Sequence, residues 1–187
     1  MENGMRKSRL VSNFVGACCV VLLLVASASA QEYDIVPGSR IGKIEIGMSR
    51  QAVHNTLGKP SGTYSLRARG YKGEYWFSSD NSNTLRVFYD PVGQVYQVSI
   101  TSSRFKTPEG LTTQSSLDEV KRHYKNLKVL HFAARGNIDY YDAVRQGISF
   151  EFTERVDDRN VSSYEMYGLL IHKRGGAVLP EPDELLR

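Results

Sequence analysis

The sequence is poor in cysteine: Cys18 and Cys19 are its only two, and both lie before Gln31. A chain that loses residues 1–30 has no thiol. Disulfides, thiolate metal sites, cysteine nucleophiles and thiol redox chemistry are then excluded together, because each requires a cysteine sulfur. Residues 31–187 are enough to bury a core that folds without disulfide cross-links.

The sequence also carries little net charge, +4 at pH 7 for the full chain. Removal of residues 1–30 takes away three basic side chains and one acidic side chain, which lowers the net charge to +2. So small a charge disfavours nucleic acid as a partner, because phosphate recognition depends on a strong basic patch. Aromatic residues are plentiful, since all 11 tyrosines and the single tryptophan follow Ala30, and they exclude a wholly disordered chain.

Residues 1–30 have the pattern of an export signal. Three basic residues come first: Arg6, Lys7 and Arg9. A run of apolar or small residues follows from Val15 to Ala26, shorter than the ~20 residues that a membrane-spanning helix needs. The small residues Ala28 and Ala30 stand at −3 and −1 of a cut before Gln31. We therefore expect residues 1–30 to be a cleaved signal peptide, and the mature protein to reach the periplasm or the extracellular space without a membrane span.

Two alternatives to cleavage before Gln31 remain open. The segment could stay attached as an uncleaved membrane anchor. The tetrapeptide Val15-Gly16-Ala17-Cys18 also loosely resembles a lipobox, which would place a lipid on Cys18. Cleavage there would leave most of the hydrophobic run on the mature protein, so lipidation of Cys18 is the weaker interpretation.

The mature chain contains a similar pattern twice, once from Ser49 and again from Ser116. Both serines are predicted helix N-caps, and each is followed four positions later by a valine, Val53 or Val120. The first helix is predicted to end at Gly58, because glycine adopts the left-handed conformation that closes a helix.

Three β-like segments follow each predicted helix: residues 63–79, 84–90 and 94–101, then residues 128–143, 147–153 and 163–173. The pattern predicts an α+β fold of two tandem units, each a short helix followed by a three-stranded antiparallel sheet, packed into one domain. The repeat units cover about residues 39–104 and 110–174 of a domain spanning residues 31–179. Residues 180–187 are predicted to be a flexible tail.

The residues that open the first unit resemble a known family. Ile46-Gly47-Met48-Ser49, then Val53 and Leu57-Gly58-Lys59-Pro60, resembles the opening motif of the SmpA/OmlA small outer-membrane lipoproteins. That family includes the E subunit of the β-barrel assembly machinery. The tandem arrangement is similar to that of the β-lactamase inhibitory proteins, giving a BLIP-like fold. These resemblances imply an exported, non-catalytic binding fold, although the chain lacks the well-placed lipidated cysteine of the first family and the disulfides of the second.

The histidines do not predict a metal site. The four of them, His54, His123, His131 and His172, fall on separate predicted elements. None forms an HxxxH, HxH or HExxH spacing, which would place two imidazoles on one face. We expect no metal and no cofactor.

Nucleophilic and carboxylate catalysis are also unsupported. Ser49 and Ser116 are explained as helix caps, and no G-x-S-x-G elbow is present. Glu154, Asp157 and Asp158 alternate with arginines, which is typical of a solvated turn rather than of a paired-carboxylate glycosidase site. The sequence therefore predicts a protein that is not an enzyme.

Aromatic residues crowd the first unit among several arginines. We predict a partner-binding surface formed by five of them: Tyr71, Tyr75, Trp76, Phe88 and Tyr96. Neighbouring residues of a strand point to opposite faces, so Tyr75 and Trp76 cannot share one face. The alternative is that these aromatics pack across strands as part of the core.

Together these observations predict an exported, non-enzymatic protein-binding or envelope-assembly module of the SmpA/OmlA and BLIP-like type. The expected partner is another envelope or secreted protein rather than nucleic acid. The alternative is a proteinaceous inhibitor of a secreted or periplasmic enzyme. A small hydrolase is disfavoured because no catalytic constellation supports it.

Overall fold

The computed structural model describes residues 31–65, 70–79, 83–132, 138–156, 158, 160 and 162–179. The chain divides into two units, Met1–Glu32 and Tyr33–Arg187, and the described residues lie almost entirely in the second. The predicted signal peptide, residues 1–30, and the predicted tail, residues 180–187, lie outside the described residues.

The second unit is built mainly from short strands. A 3₁₀ turn, Gln31–Tyr33, precedes β1 (Ile35–Val36), β2 (Arg40–Ile41) and β3 (Ile44–Glu45). Helix α1 (Arg50–Leu57) precedes β4 (Gly62–Ser65), β5 (Lys72–Phe77), β6 (Thr84–Tyr89) and β7 (Val95–Ile100). Helix α2 (Leu117–His123) precedes β8 (Lys128–Phe132), β9 (Ile138–Ala143), β10 (Ile148–Val156) and β11 (Ser162–His172).

Among the described residues, eight strands form one antiparallel sheet in the order β4-β5-β6-β7-β11-β10-β9-β8, and β1–β3 form a separate small sheet. The prediction of an α+β fold from two tandem units, each a helix with a three-stranded sheet, is therefore wrong. The protein is mostly β with two short helices. The pairing of β7 with β11, which sets Leu169 opposite Ile100, makes the large sheet continuous.

The large sheet has more strands than predicted because two predicted segments each fold back on themselves. Residues 63–79 contain β5 and all of β4 except Gly62, and residues 128–143 contain both β8 and β9. Each segment is longer than the ~3–10 residues usual for one strand. Within the first, Gly70 has a φ of +80°, which suits the reversal of chain direction between β4 and β5.

Both helices begin at the serines that the sequence indicates. The Ser49 hydroxyl accepts a hydrogen bond from the Ala52 amide at 3.2 Å. At α2, the Ser116 hydroxyl accepts from the Glu119 amide at 3.3 Å, and the Glu119 carboxylate accepts from the Ser116 amide at 2.7 Å, which completes a capping box. Gly58 ends α1 with a φ of +78° and donates its amide to the His54 carbonyl.

The two helices pack on one face of the large sheet, and this face is the main hydrophobic core. Val53 of α1 and Val120 of α2 are fully buried in it. The strands contribute large apolar side chains to the same cluster, among them Val87, Val98, Phe150, Leu169 and Ile171. Burial of these side chains provides most of the favourable free energy of folding.

The opposite face of the sheet contacts the C-terminal segment, residues 173–179. Gln97 of β7 forms two hydrogen bonds of 2.9 Å with the backbone of Leu179. The Tyr96 hydroxyl donates to the Ala177 carbonyl at 2.9 Å and accepts from the Ala177 amide at 3.0 Å. Val178 packs against Tyr140 and other apolar side chains of this face. Polar side chains are also buried there, so neither face of the sheet is a simple solvent-exposed surface.

Candidate partner-binding site

The five aromatic residues predicted to bind a partner do not form one surface. Trp76 lies in the core cluster on the helix face, and Phe88 is fully buried. Tyr71, Tyr75 and Tyr96 are half-buried. Their assignment to partner binding stays a prediction, but the burial of Phe88 keeps its side chain away from direct contact with another protein.

Tyr75 belongs to a row of aromatic side chains on the face opposite the helices. Its ring stacks on Tyr64 at 6.3 Å between centroids and meets Phe77 edge-on at 5.1 Å. Tyr64 in turn contacts Phe88 at 5.7 Å. The glycine that pairs with Tyr64 across the strands leaves room for this row, since a Cβ at Gly73 would collide with the Tyr64 ring. The row ends at Phe77, whose side chain is 47% exposed.

Tyr71 and Tyr96 form a separate edge-to-face pair, with ring centroids 5.2 Å apart. The Tyr96 hydroxyl is engaged with Ala177 of the C-terminal segment. Burial raises the pKa of Tyr96 above its ordinary value. Tyr96 therefore holds the C-terminal segment against the sheet.

A cavity of about 230 Å³ opens beside Trp76, at the end of β5. We call it the Trp76 cleft. Its apolar lining consists of Tyr33, Trp76, Phe77, Leu85, Ile100 and Phe105. Ile100 and Trp76 belong to the hydrophobic core, whereas Phe77 is almost half exposed. The cleft is thus a place where the apolar interior of the protein reaches the surface.

Two chain segments distant in sequence form one wall of the cleft. The Lys106 amide donates to the Tyr33 carbonyl at 3.0 Å, and the Ile35 amide donates to the Lys106 carbonyl at 2.8 Å. This pairing brings the Tyr33 ring edge-on to Phe105, with centroids 5.4 Å apart. Trp76 is held by its indole N–H, which donates to the Gly58 carbonyl at 3.3 Å. Hydrogen bonds to backbone carbonyls therefore fix both the wall that contains Tyr33 and Phe105 and the Trp76 side chain opposite it.

The cleft has one charged residue among its described lining residues, Arg104. Its guanidinium lies over the Tyr33 ring, 4.7 Å from the centroid. The other polar lining residues, such as Ser102 and Thr84, are neutral. The described lining residues include no carboxylate, so their own net charge is positive.

A buried carboxylate, Glu74, lies two positions before Trp76 in the chain, but its side chain serves the attachment of α1. Its first oxygen accepts two hydrogen bonds from Arg50, and its second accepts from the Tyr89 hydroxyl and contacts His54 Nε2, both at 2.8 Å. Burial alone would raise the pKa of Glu74, but the hydrogen bonds from Arg50 and its two other partners outweigh it and hold the pKa below its ordinary value. Both oxygens are occupied, so Glu74 anchors α1 to the sheet.

The remaining candidate site residues stay apart from one another. His131 contacts Asp139 at 2.7 Å, and the buried His172 contacts the buried Asp142 at 2.9 Å. Over the described ranges, no three histidine, cysteine or acidic side chains are placed to share a metal ion. In the part of the chain that the structure describes, no helix is both long and apolar enough to span a bilayer.

The acidic stretch near Glu154 does not form a described carboxylate pair. Glu154 and Arg155 lie in β10, and Arg155 forms an ion pair of 2.8 Å with Glu165 of β11. Asp157, the next acidic residue, lies outside the described residues.

Comparison with known proteins provides one informative likeness. No family model and no curated protein matches the sequence. The chain resembles the crystal structure of the uncharacterized protein YfeY from Escherichia coli, with a TM-score of 0.53 and 12% identity. The match covers 74% of this chain and 99% of that one. At this identity the likeness shows a shared fold alone, and the resemblance to the SmpA/OmlA and BLIP-like proteins stays a prediction.

Proposed function

We propose that this protein is an exported, non-enzymatic protein-binding module of the envelope, and that its partner contacts the Trp76 cleft. The observation that carries the proposal is the cleft itself, an opening lined by Trp76, Phe105 and other apolar side chains with the exposed Phe77 at its rim. Energetic hot spots of protein interfaces are aromatic side chains and the pockets that receive them. The cleft offers both.

The size of the cleft favours an anchoring side chain over a whole small molecule. Its volume of about 230 Å³ is below the ~300–1,000 Å³ typical of pockets for drug-sized ligands and cofactors. A protein partner needs only to insert one large apolar side chain there and to cover the rim with its remaining surface. We therefore assign the contact to a protein.

The chemistry of the lining supports binding rather than catalysis. General acid–base catalysis needs a histidine, a carboxylate or a comparable group with a suitable pKa at the reacting atoms. Arg104 and Tyr33 are the only ionisable groups among the described lining residues, which include no histidine and no carboxylate. The nearby Glu74 is fully engaged by its own donors. The export part of the proposal rests on the pattern of residues 1–30.

A second candidate function is inhibition of a secreted or periplasmic enzyme. The observation that favours it is the β10–β11 hairpin, which extends past the last residue of β10 that pairs with β9, Thr153. Val156 and Tyr164 are exposed on this extension. A projecting hairpin with exposed apolar side chains is a suitable shape for insertion into the cleft of an enzyme.

Two aromatic residues of matched exposure separate the two candidates. Phe77 at the Trp76 cleft is 47% exposed and Tyr164 on the hairpin is 43% exposed. We expect Phe77→Ala to weaken capture of envelope proteins by about fivefold or more, the loss typical of an interface anchor, with an unchanged urea midpoint. Val92→Ala, in the exposed β6–β7 turn, is the control and should leave capture unchanged.

The other outcomes contradict the leading proposal. If Tyr164→Ala weakens capture and Phe77→Ala does not, the hairpin is the contact and the inhibitor function is favoured. If neither variant affects capture of any protein that the wild type retains, the Trp76 cleft is not a binding site and the proposal is wrong.

A further inference from the structure

We propose that the Trp76 cleft recognises an acidic peptide segment: one large apolar side chain enters the cleft, and a carboxylate next to it binds Arg104. This inference rests on the proposed function and names the chemistry of the partner. It follows from two features of the cleft, the apolar floor and the position of its one described charge.

The floor of the cleft is suited to an apolar side chain. Ile100 is 1% exposed and Trp76 is 9% exposed, so the surface they present is the edge of the hydrophobic core. Leu85 beside them is half-buried. A polar side chain placed on this floor would lose its water and find few hydrogen-bond partners. An aromatic or aliphatic side chain would instead remove apolar surface from water on both partners.

Arg104 is held at the rim by Tyr33. The contact of the guanidinium with the ring face restrains the arginine side chain, and a guanidinium over an aromatic ring can still donate hydrogen bonds through its N–H groups. A carboxylate fits this edge because its two oxygens can accept two parallel hydrogen bonds. Stacking thereby prepares the arginine before a ligand arrives.

Arg104 has no ion-pair partner within the described part of the chain, a property that it shares with Arg145 and Arg174 but not with every arginine of the protein. Arg50 is paired with Glu74, Arg122 with Glu119, and Arg155 with Glu165. The guanidinium of Arg104 instead contacts the Tyr33 ring. The positive charge at the cleft is therefore not neutralised by the described residues, and it favours an anionic partner.

The single tryptophan provides a direct probe of the cleft, because the fluorescence of Trp76 is the only tryptophan signal of the protein. We suggest titration of the purified protein with three peptides: acetyl-Asp-Phe-Asp-amide, acetyl-Asn-Phe-Asn-amide and acetyl-Asp-Gly-Asp-amide. The first two peptides have nearly the same shape, but only the first carries carboxylates. The third peptide keeps the carboxylates but lacks the apolar side chain.

We expect the Asp-Phe-Asp peptide to change the fluorescence saturably and the Asn-Phe-Asn peptide to bind about two- to fivefold more weakly, the range for an exposed ion pair. The Asp-Gly-Asp peptide should not bind at the same concentrations. Arg104→Gln should abolish the preference for the charged peptide, whereas Arg122→Gln, which removes an equal charge on α2, should retain it. High salt should reduce the preference, because both charges are exposed.

Each contrary result is decisive. Equal binding of the Asp and Asn peptides, or a preference that survives Arg104→Gln, overturns the role of the carboxylate. Binding of the glycine peptide as tight as that of the phenylalanine peptide overturns the anchor. Failure of all three peptides while Phe77→Ala still weakens protein capture overturns this inference and leaves the proposed function standing. If the peptides bind as expected but Phe77→Ala has no effect on protein capture, the inference about the peptide stands and the proposed function is contradicted.

Discussion

Replacement of Glu74 by leucine is expected to lower the free energy of unfolding by about 2–4 kcal/mol, through loss of the hydrogen bonds that attach α1 to the sheet. Glu74 is 1% exposed and accepts hydrogen bonds from one helix residue, Arg50, and from Tyr89 on the neighbouring strand. Leucine fills the same space without an acceptor. The cost therefore depends on whether each of the side chains that contacted Glu74 can find another hydrogen-bond partner, such as water.

Tyr89 makes the larger contribution to this loss. Its hydroxyl is buried, and without Glu74 it loses the acceptor 2.8 Å away, which costs about 1–3 kcal/mol for a buried unsatisfied donor. The side chains of Arg50 and His54 are 45% and 30% exposed, so water can replace the lost carboxylate. Their contribution is smaller, so the expected range of about 2–4 kcal/mol is centred lower than the range of about 3–5 kcal/mol for breaking a fully buried ion pair.

A double-mutant cycle tests this explanation. Tyr89→Phe removes the orphaned hydroxyl, so Glu74→Leu should cost about 1–2 kcal/mol less in the Tyr89→Phe background than in the wild type. Urea unfolding followed by circular dichroism measures all four free energies. If Glu74→Leu alone costs less than about 1 kcal/mol, or if the two single losses simply add, the assignment of the cost to the buried hydroxyl is refuted.

The helix ends and the buried tyrosines give two further predictions. Ser116→Ala should cost about 1–2 kcal/mol and Ser49→Ala about 0.5–1 kcal/mol in urea unfolding, because only Ser116 belongs to a complete capping box; equal losses would contradict this order. Burial, together with the hydrogen bond to Glu109, raises the pKa of Tyr124, so its contribution to stability is complete below about pH 10 and is lost as pH rises above that value. Tyr124→Phe should make the alkaline loss of stability shallower, and an unchanged pH profile would contradict it.

Local signals predicted the helices well, because a helix end depends on a few neighbouring residues. A serine followed by a core valine marked the start of each helix, and Gly58 marked the end of α1. The number of strands was predicted wrongly. The reversal near Gly70 lies inside a long β-like stretch, and the length of that stretch was the available signal that it contains two strands.

The continuous sheet and most of the cleft could not be predicted in this way. The pairing of β7 with β11 joins segments that lie far apart in the chain, and the sequence pattern of either strand is equally compatible with two separate sheets. The wall of the cleft brings Tyr33 next to Phe105, again across a long stretch of sequence. Trp76 was identified by its residue type, but its neighbours Arg104 and Phe105 lie at the predicted end of the first unit and just after it, where no helix or strand was predicted.

The structure also changes what an aromatic strand residue implies about binding. Where one face of a sheet is exposed, alternation would place either Tyr75 or Trp76 in solvent. Here α1 and α2 cover one face, and the C-terminal segment is hydrogen-bonded to Tyr96 and Gln97 on the other, so aromatic side chains are buried on both faces. One exposed aromatic side chain, Phe77, lies at the end of β5, next to the buried Trp76 and beside the Trp76 cleft. Partner binding is therefore expected at this end of the sheet, because Trp76 and Phe77, which point to opposite faces of β5, both line the Trp76 cleft.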